Sequence, residues 1–149
     1  EMITVVDRIR DWKEAIQLAS VPLLNKGVIS NQYVEAMIAA HDYYRPYMIL
    51  GQSMAIPHAK REYGVNKLGM SLLIVRKGVL FSDQLNVHFV VVIAPADAYQ
   101  HVKAIYQLTV LSSKEDVLRN MLANPTKAEV IRSLRTISEE RTLYSERER

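Results

Sequence analysis

The chain has 149 residues, no cysteine, four histidines and a formal net charge of +3. That length suits one domain with a substantial core. The missing cysteines exclude a disulfide scaffold, thiolate metal or cluster sites and a thiol nucleophile. No apolar run approaches the roughly 20 residues of a membrane-spanning helix.

Met2 to Val6 is short and β-branched, the pattern of a first strand. Asp11 followed three residues later by Glu14 resembles a capping box and opens a helix. Ala15, Ile16, Leu18, Ala19, Leu23 and Leu24 give that helix one apolar face. Pro22 predicts a kink or break in it, and Gly27 its end. Ser30 caps a second helix with Tyr33, Met37, Ile38 and Ala40 on its apolar side. That helix should stop before Pro46.

The period then changes. Met48–Ile56, Leu68–Val75 and Val87–Ala94 read as strands, and the unbroken run Phe89–Ile93 suits one covered on both faces. Helical spacing returns after Pro95, with His101, Ile105, Leu108 and Leu111 or Ser112 on one face. Ser113 with Asp116, and Thr126 with Glu129, read as caps of two further helices; Val130, Ile131, Leu134 and Ile137 are the apolar positions of the last. The expected architecture is a single α/β domain over 1–149, a three-layer α/β/α sandwich with a mixed central sheet covered by helices. Its core runs from about residue 5 to 137, and 138–149 form a tail of alternating charge.

Between residues 41 and 80, Arg45, Lys60, Arg61, Lys67, Arg76 and Lys77 face only Asp42 and Glu62, so the positive excess sits there. It is too mild, and too poor in interleaved aromatics, for a direct nucleic-acid binder. Neither a GxGxxG nor a GxxxxGK[ST] phosphate loop is present, and no GxSxG elbow. The four histidines show no local metal-ligand spacing. No metal and no cofactor is expected.

The informative segment is Leu50 to Ala59, LGQSMAIPHA. Pro57 stiffens the backbone and forces Ile56 to be extended, which presents His58 from a rigid strand end. A neutral imidazole is a good phosphoryl acceptor near pH 7. On residue type alone an inert strand-end histidine is the commoner case. His41 at a helix end and His88 at the head of an apolar strand read as structural or surface groups. Met48, Met54 and Met70 read as core filler, or as part of a non-polar docking rim.

Gly51 to Ala59 resembles the phosphorylation-site signature of the mannitol–fructose class of enzyme IIA (EIIA type-2) proteins of the bacterial phosphoenolpyruvate-dependent sugar phosphotransferase system (PTS). Arg45-Pro46-Tyr47, the run Gly64 to Leu72 and Phe81 are similar to the ascorbate-type branch, and Asp97 to His101 matches the family's second histidine region. The resemblance implies a cytoplasmic phosphocarrier, a phosphotransferase that acts through a phosphohistidine intermediate. His58 would take the phosphoryl group on its tele nitrogen from HPr and pass it to a cysteine of an enzyme IIB, which works with a membrane IIC. His101 would stabilise the phosphoryl group. Mannitol-type members carry an upstream arginine where this sequence has Asp42; Arg45, three residues on, is the candidate for that charge. Ser53 is a further candidate phosphate ligand. The same module also occurs in PTS-controlled transcription regulators as a phosphorylation-sensing domain, and the opening on Glu1 keeps that alternative in view.

Overall fold

The computed structural model describes residues 2–43, 49–82, 84–95 and 97–135. Arg45, Pro46, Met48, Ile137 and the 138–149 tail lie outside these residues. Strand β1 (Ile3–Val6) leads to helices α1 (Trp12–Asn25) and α2 (Asn31–Tyr43). Two short strands follow, β2 (Ile49–Leu50) and β3 (Met54–Ala55), then a 3-10 turn at Arg61–Tyr63. The long hairpin β4 (Gly69–Ser82) and β5 (Leu85–Ala94) completes the sheet, and α3 (Ala98–Ser112), α4 (Glu115–Ala123) and a helical stretch α5 over 127–135 close the described chain.

The strands form one five-stranded sheet in the order β1-β4-β5-β3-β2. β1 is parallel to β4 and β3 to β5, whereas β4/β5 and β2/β3 are antiparallel. Alternation along the central strands divides their side chains between two cores. Leu73, Val75, Val90, Val92 and Ala94 pack with Ala15, Ile16, Ala19 and Leu23 of α1 and Tyr33 and Met37 of α2. Ile74, Phe89, Val91 and Ile93 pack on the opposite side with Leu108 and Leu111 of α3, Leu118 and Met121 of α4, and Val130. The continuous apolar run in β5 is therefore what a strand with helices on both faces requires. The three-layer sandwich with a mixed sheet is the architecture observed.

Local chemistry explains most of the boundaries. The Glu14 N–H donates to Asp11 Oδ1 at 2.9 Å, so Asp11 caps α1. Ser30 Oγ accepts from Tyr33 N–H at 3.4 Å, and Thr126 Oγ1 from Glu129 N–H at 3.2 Å. Gly64 closes against the same corner: its carbonyl accepts from Ser30 N–H at 2.9 Å, and a Cβ there would collide with Ser30 Oγ.

Four expectations are corrected. Pro22 does not break α1: the helix runs through it to Asn25, Lys26 N–H reaches the Pro22 carbonyl at 3.3 Å, and Leu23 is fully buried. Residues 49–56 are not one strand: Gly51 at φ +59° turns the chain, so β2 folds back on β3. β4 outruns the expected Val75 end because a register shift between Ile74 and Val79 absorbs Arg76-Lys77-Gly78 within the hairpin. Ser113 does not cap α4; its hydroxyl donates back to the Val110 carbonyl, and Lys114 takes the cap position.

Candidate functional site

β3 and β5 run parallel and in step, with Met54 opposite Phe89 and Ala55 opposite Val90. The same register continues past the end of β3. Ile93 N–H donates to the Pro57 carbonyl at 3.4 Å, which puts His58 opposite Ile93. His58 is buried, with 6% of its surface exposed. Its Nδ1 lies 2.7 Å from the Ile56 carbonyl oxygen. A carbonyl only accepts, so Nδ1 carries the ring proton and the basic lone pair belongs to Nε2. The Ile56-Pro57-His58 sequence builds this tie locally, since the carbonyl two residues back is held by the extended backbone that Pro57 demands.

β5 passes through Pro95 and Asp97 into α3, whose first turn contains His101. The His101 backbone N–H donates to the Asp97 carbonyl at 3.1 Å. The His58 and His101 ring centroids are 5.1 Å apart at an interplanar angle of 60°. His101 Nδ1 is buried without a hydrogen-bond partner among the described residues, so an incoming polar group would satisfy it. The pair thus sits where the extended segment after β3 runs beside the end of β5 and a helix begins. First-turn N–H groups precede any intrahelical acceptor, and the positive end of the helix dipole favours an anion there.

Burial holds the His58 pKa below the ordinary histidine value, the Ile56 carbonyl opposes that shift, and charge on His101 adds to it. His58 is accordingly a neutral base at pH 7. A neutral imidazole with one nitrogen tied and the other carrying the lone pair can attack an electrophilic phosphorus. The tied Nδ1–H then stabilises the positive charge that develops on the ring. Among the described residues no cluster of three or more metal-ligating side chains occurs.

The structure brings His58 and His101 together. It does not bring Ser53: the Ser53 carbonyl accepts from His88 and Phe89 N–H at 2.9 and 3.1 Å, at the other end of β3. Five extended residues at about 3.3 Å each separate it from His58. Closeness in sequence along a strand is distance in space, so the backbone contacts of Ser53 do not bring it to the histidine pair. Arg45 lies outside the described residues. His41 is fully buried, the structural of its two expected roles; its Nε2 is 3.0 Å from the Phe81 carbonyl and its ring packs edge-on against Trp12 and Phe81. His88 lies within β5, its Nδ1 3.1 Å from the Val75 carbonyl. Met54 is core, whereas Met70 is partly exposed beside Ile93 at the site's end of the sheet.

Sequence reasoning assigned Tyr33 to the core and missed its hydroxyl. That oxygen accepts from Ala59 N–H at 3.2 Å and donates to the Ile93 carbonyl at 2.6 Å. The only signal available was a tyrosine, not a phenylalanine, on an apolar helix face.

Residues 1–137 match the family described as phosphoenolpyruvate-dependent sugar phosphotransferase system, EIIA 2. The mannitol-specific cryptic phosphotransferase enzyme IIA component of Escherichia coli K12 is 36% identical over 121 residues, 80% of this chain and 82% of that protein. The ascorbate-specific PTS system EIIA component of the same strain is 28% identical over 123 residues, 80% of each chain. Of these two, the mannitol-specific protein is the more similar. The fold also superposes on the E. coli structure titled as a complex of enzyme IIAMTL and phosphorylated enzyme IIBMTL. There the TM-score is 0.78 and identity 27%, covering 90% of this chain and 94% of that one.

Proposed function

Since this chain belongs to the EIIA type-2 family of the sugar phosphotransferase system, and is thus a PTS phosphotransferase component, we propose that His58 is its phosphoryl carrier and Nε2 the atom that takes the group. The observation that carries the reading is the 2.7 Å tie of His58 Nδ1 to the Ile56 carbonyl, which assigns the nucleophilic lone pair to Nε2.

In the first step a bond forms between His58 Nε2 and the phosphorus of phospho-HPr, in line with the breaking P–N bond to the donor's imidazole. The proton on His58 Nδ1 stays in place, and the Ile56 carbonyl steadies the cationic phosphoimidazole. His101 and the first turn of α3 stabilise the phosphoryl oxygens. In the second step a thiolate of an enzyme IIB attacks the phosphorus, an S–P bond replaces the Nε2–P bond, and neutral His58 is regenerated. The IIA–IIB complex among the structural relatives supports this acceptor. Among the described residues no helix is long and apolar enough to cross a membrane. In this reading the carrier works in the cytoplasm between HPr and a IIB–IIC pair. Arg45 remains the proposed source of an additional positive charge near the phosphoryl group.

Reconstitution with phosphoenolpyruvate, enzyme I and HPr tests the reading. The protein should acquire an acid-labile, base-stable label that is absent in His58→Ala. Equal labelling of the two proteins would overturn the assignment.

A further inference from the structure

The parallel register that places His58 opposite Ile93 demands two backbone rungs around that pair. In a parallel ladder, the residue opposite donates and accepts through its neighbours' groups on the other strand. One rung, Ile93 N–H to the Pro57 carbonyl, is present at a stretched 3.4 Å. The second should run from Ala59 N–H to the Ile93 carbonyl. Instead, Ala59 N–H donates to Tyr33 Oη at 3.2 Å and Tyr33 Oη donates to the Ile93 carbonyl at 2.6 Å. We infer that Tyr33 is a positioning residue: its hydroxyl is inserted into the β3–β5 ladder as a bridging rung and holds the strand ends apart by one oxygen atom at His58.

A fully buried tyrosine has its ring fixed among the core residues of α2 and β5, so the oxygen position is set by packing and not by the loop. One donor and one acceptor, both backbone, are satisfied by a single group able to do both. The separated strands give the His58 ring room to turn toward the Ile56 carbonyl on one edge and His101 on the other. A directly closed rung would draw Ala59, and His58 with it, against Ile93. The hydroxyl bonds to the Ala59 amide and the Ile93 carbonyl, so the effect inferred for it passes through the backbone of Ala59. The inference rests on the reading of His58 as the phosphoryl carrier only for its kinetic consequence; the bridged rung is a separate, directly observable claim.

Tyr33→Phe keeps the ring and removes the oxygen. In the full chain it should slow phosphoryl transfer at saturating phospho-HPr by roughly tenfold, as expected for a sub-ångström misplacement of a reacting group, with the KM for phospho-HPr unchanged. The ring ¹⁵N shifts of His58 should move away from the Nδ1–H tautomer seen in the parent. A purely structural tyrosine would lower thermal stability and leave both untouched, and that result would overturn the proposal. Wild-type protein supplies a readout that survives misfolding of the variant. Its Tyr33 hydroxyl proton should exchange slowly and show a nuclear Overhauser contact to the Ala59 amide proton. A through-hydrogen-bond coupling from Ala59 ¹⁵N to the Ile93 carbonyl carbon in wild type would mean that the rung is direct, and would refute the bridge whether or not His58 carries phosphate.

Discussion

Two buried histidines, His41 and His58, have nearly the same burial and opposite surroundings. Each has one ring nitrogen against a backbone carbonyl: His41 Nε2 at 3.0 Å from Phe81, His58 Nδ1 at 2.7 Å from Ile56. His41 is enclosed by the faces and edges of Trp12 and Phe81, with ring centroids 4.3 and 5.2 Å away. Its carbonyl partner lies forty positions along the chain, so the contact fastens α2 to β4. His58 is tied to a carbonyl only two residues back, so its contact fastens nothing distant and fixes the tautomer instead. What faces it is a second imidazole and the start of a helix. Burial alone therefore does not mark a functional histidine. The nitrogen that is tied, the sequence distance of its partner and the chemistry opposite the ring do.

Substitutions at the two positions should separate these roles. His58→Ala is expected to abolish phosphoryl labelling while leaving the unfolding midpoint close to that of the parent; a variant that labels normally would erase the distinction. His41→Ala should do the reverse. It empties an aromatic contact and leaves the buried Phe81 carbonyl without its partner, a loss of about 2–4 kcal/mol to be read by urea unfolding, with labelling of the folded fraction retained. Stability unchanged within error would show that the aromatic enclosure is not a fastening. His101→Ala falls between them. Transfer should slow roughly 10- to 100-fold through lost stabilisation of the phosphoryl oxygens, with slow labelling still measurable. Unchanged single-turnover rates would remove His101 from the site.

The smallest effect expected is on pH dependence. The folded His58 pKa is depressed by burial first and by His101 as a lesser cause. Below about 6.5 the unfolded chain takes up a proton on this residue that the folded chain resists. The resulting stability is present above that value and is lost as pH falls from it through the folded pKa. Transfer should follow the same group, holding its rate below the ordinary histidine pKa before the acid limb falls. In His101→Ala the lowering from His101 is gone, so the acid limb should move to higher pH; a limb that stays fixed would show that the two rings do not influence one another.

Much of this was readable from residue types and spacing. Asp11, Ser30 and Thr126 act as caps because a short polar side chain ahead of a helix satisfies an N–H that has no other partner. The run Phe89–Ile93 suited a strand covered on both faces, and it is one. The paired histidines emerged from motif resemblance, and the structure adds the reason for their pairing: the chain beyond β3 keeps step with β5 as far as Ile93, and β5 then feeds α3. Other features depended on the fold in three dimensions. Ser53 is five residues from His58, and only knowing that the chain between them is extended reveals that they are far apart. Residues 49–56 looked like one apolar strand until Gly51 turned it. His41 read as either a structural or a surface group, and only the fold decides for the structural role, because its neighbours Trp12 and Phe81 come from distant segments. Tyr33 carries no local mark that its hydroxyl would enter a ladder formed by residues 59 and 93.

The central claim is that His58 accepts a phosphoryl group at Nε2, and isotopic NMR reads that atom directly. Protein labelled with ¹⁵N-histidine and phosphorylated through phosphoenolpyruvate, enzyme I and HPr should show a single new ³¹P–¹⁵N coupling, to Nε2 of His58, with its Nδ1 still protonated. A coupling to Nδ1 of His58, or to any nitrogen of His101, His41 or His88, would contradict the account.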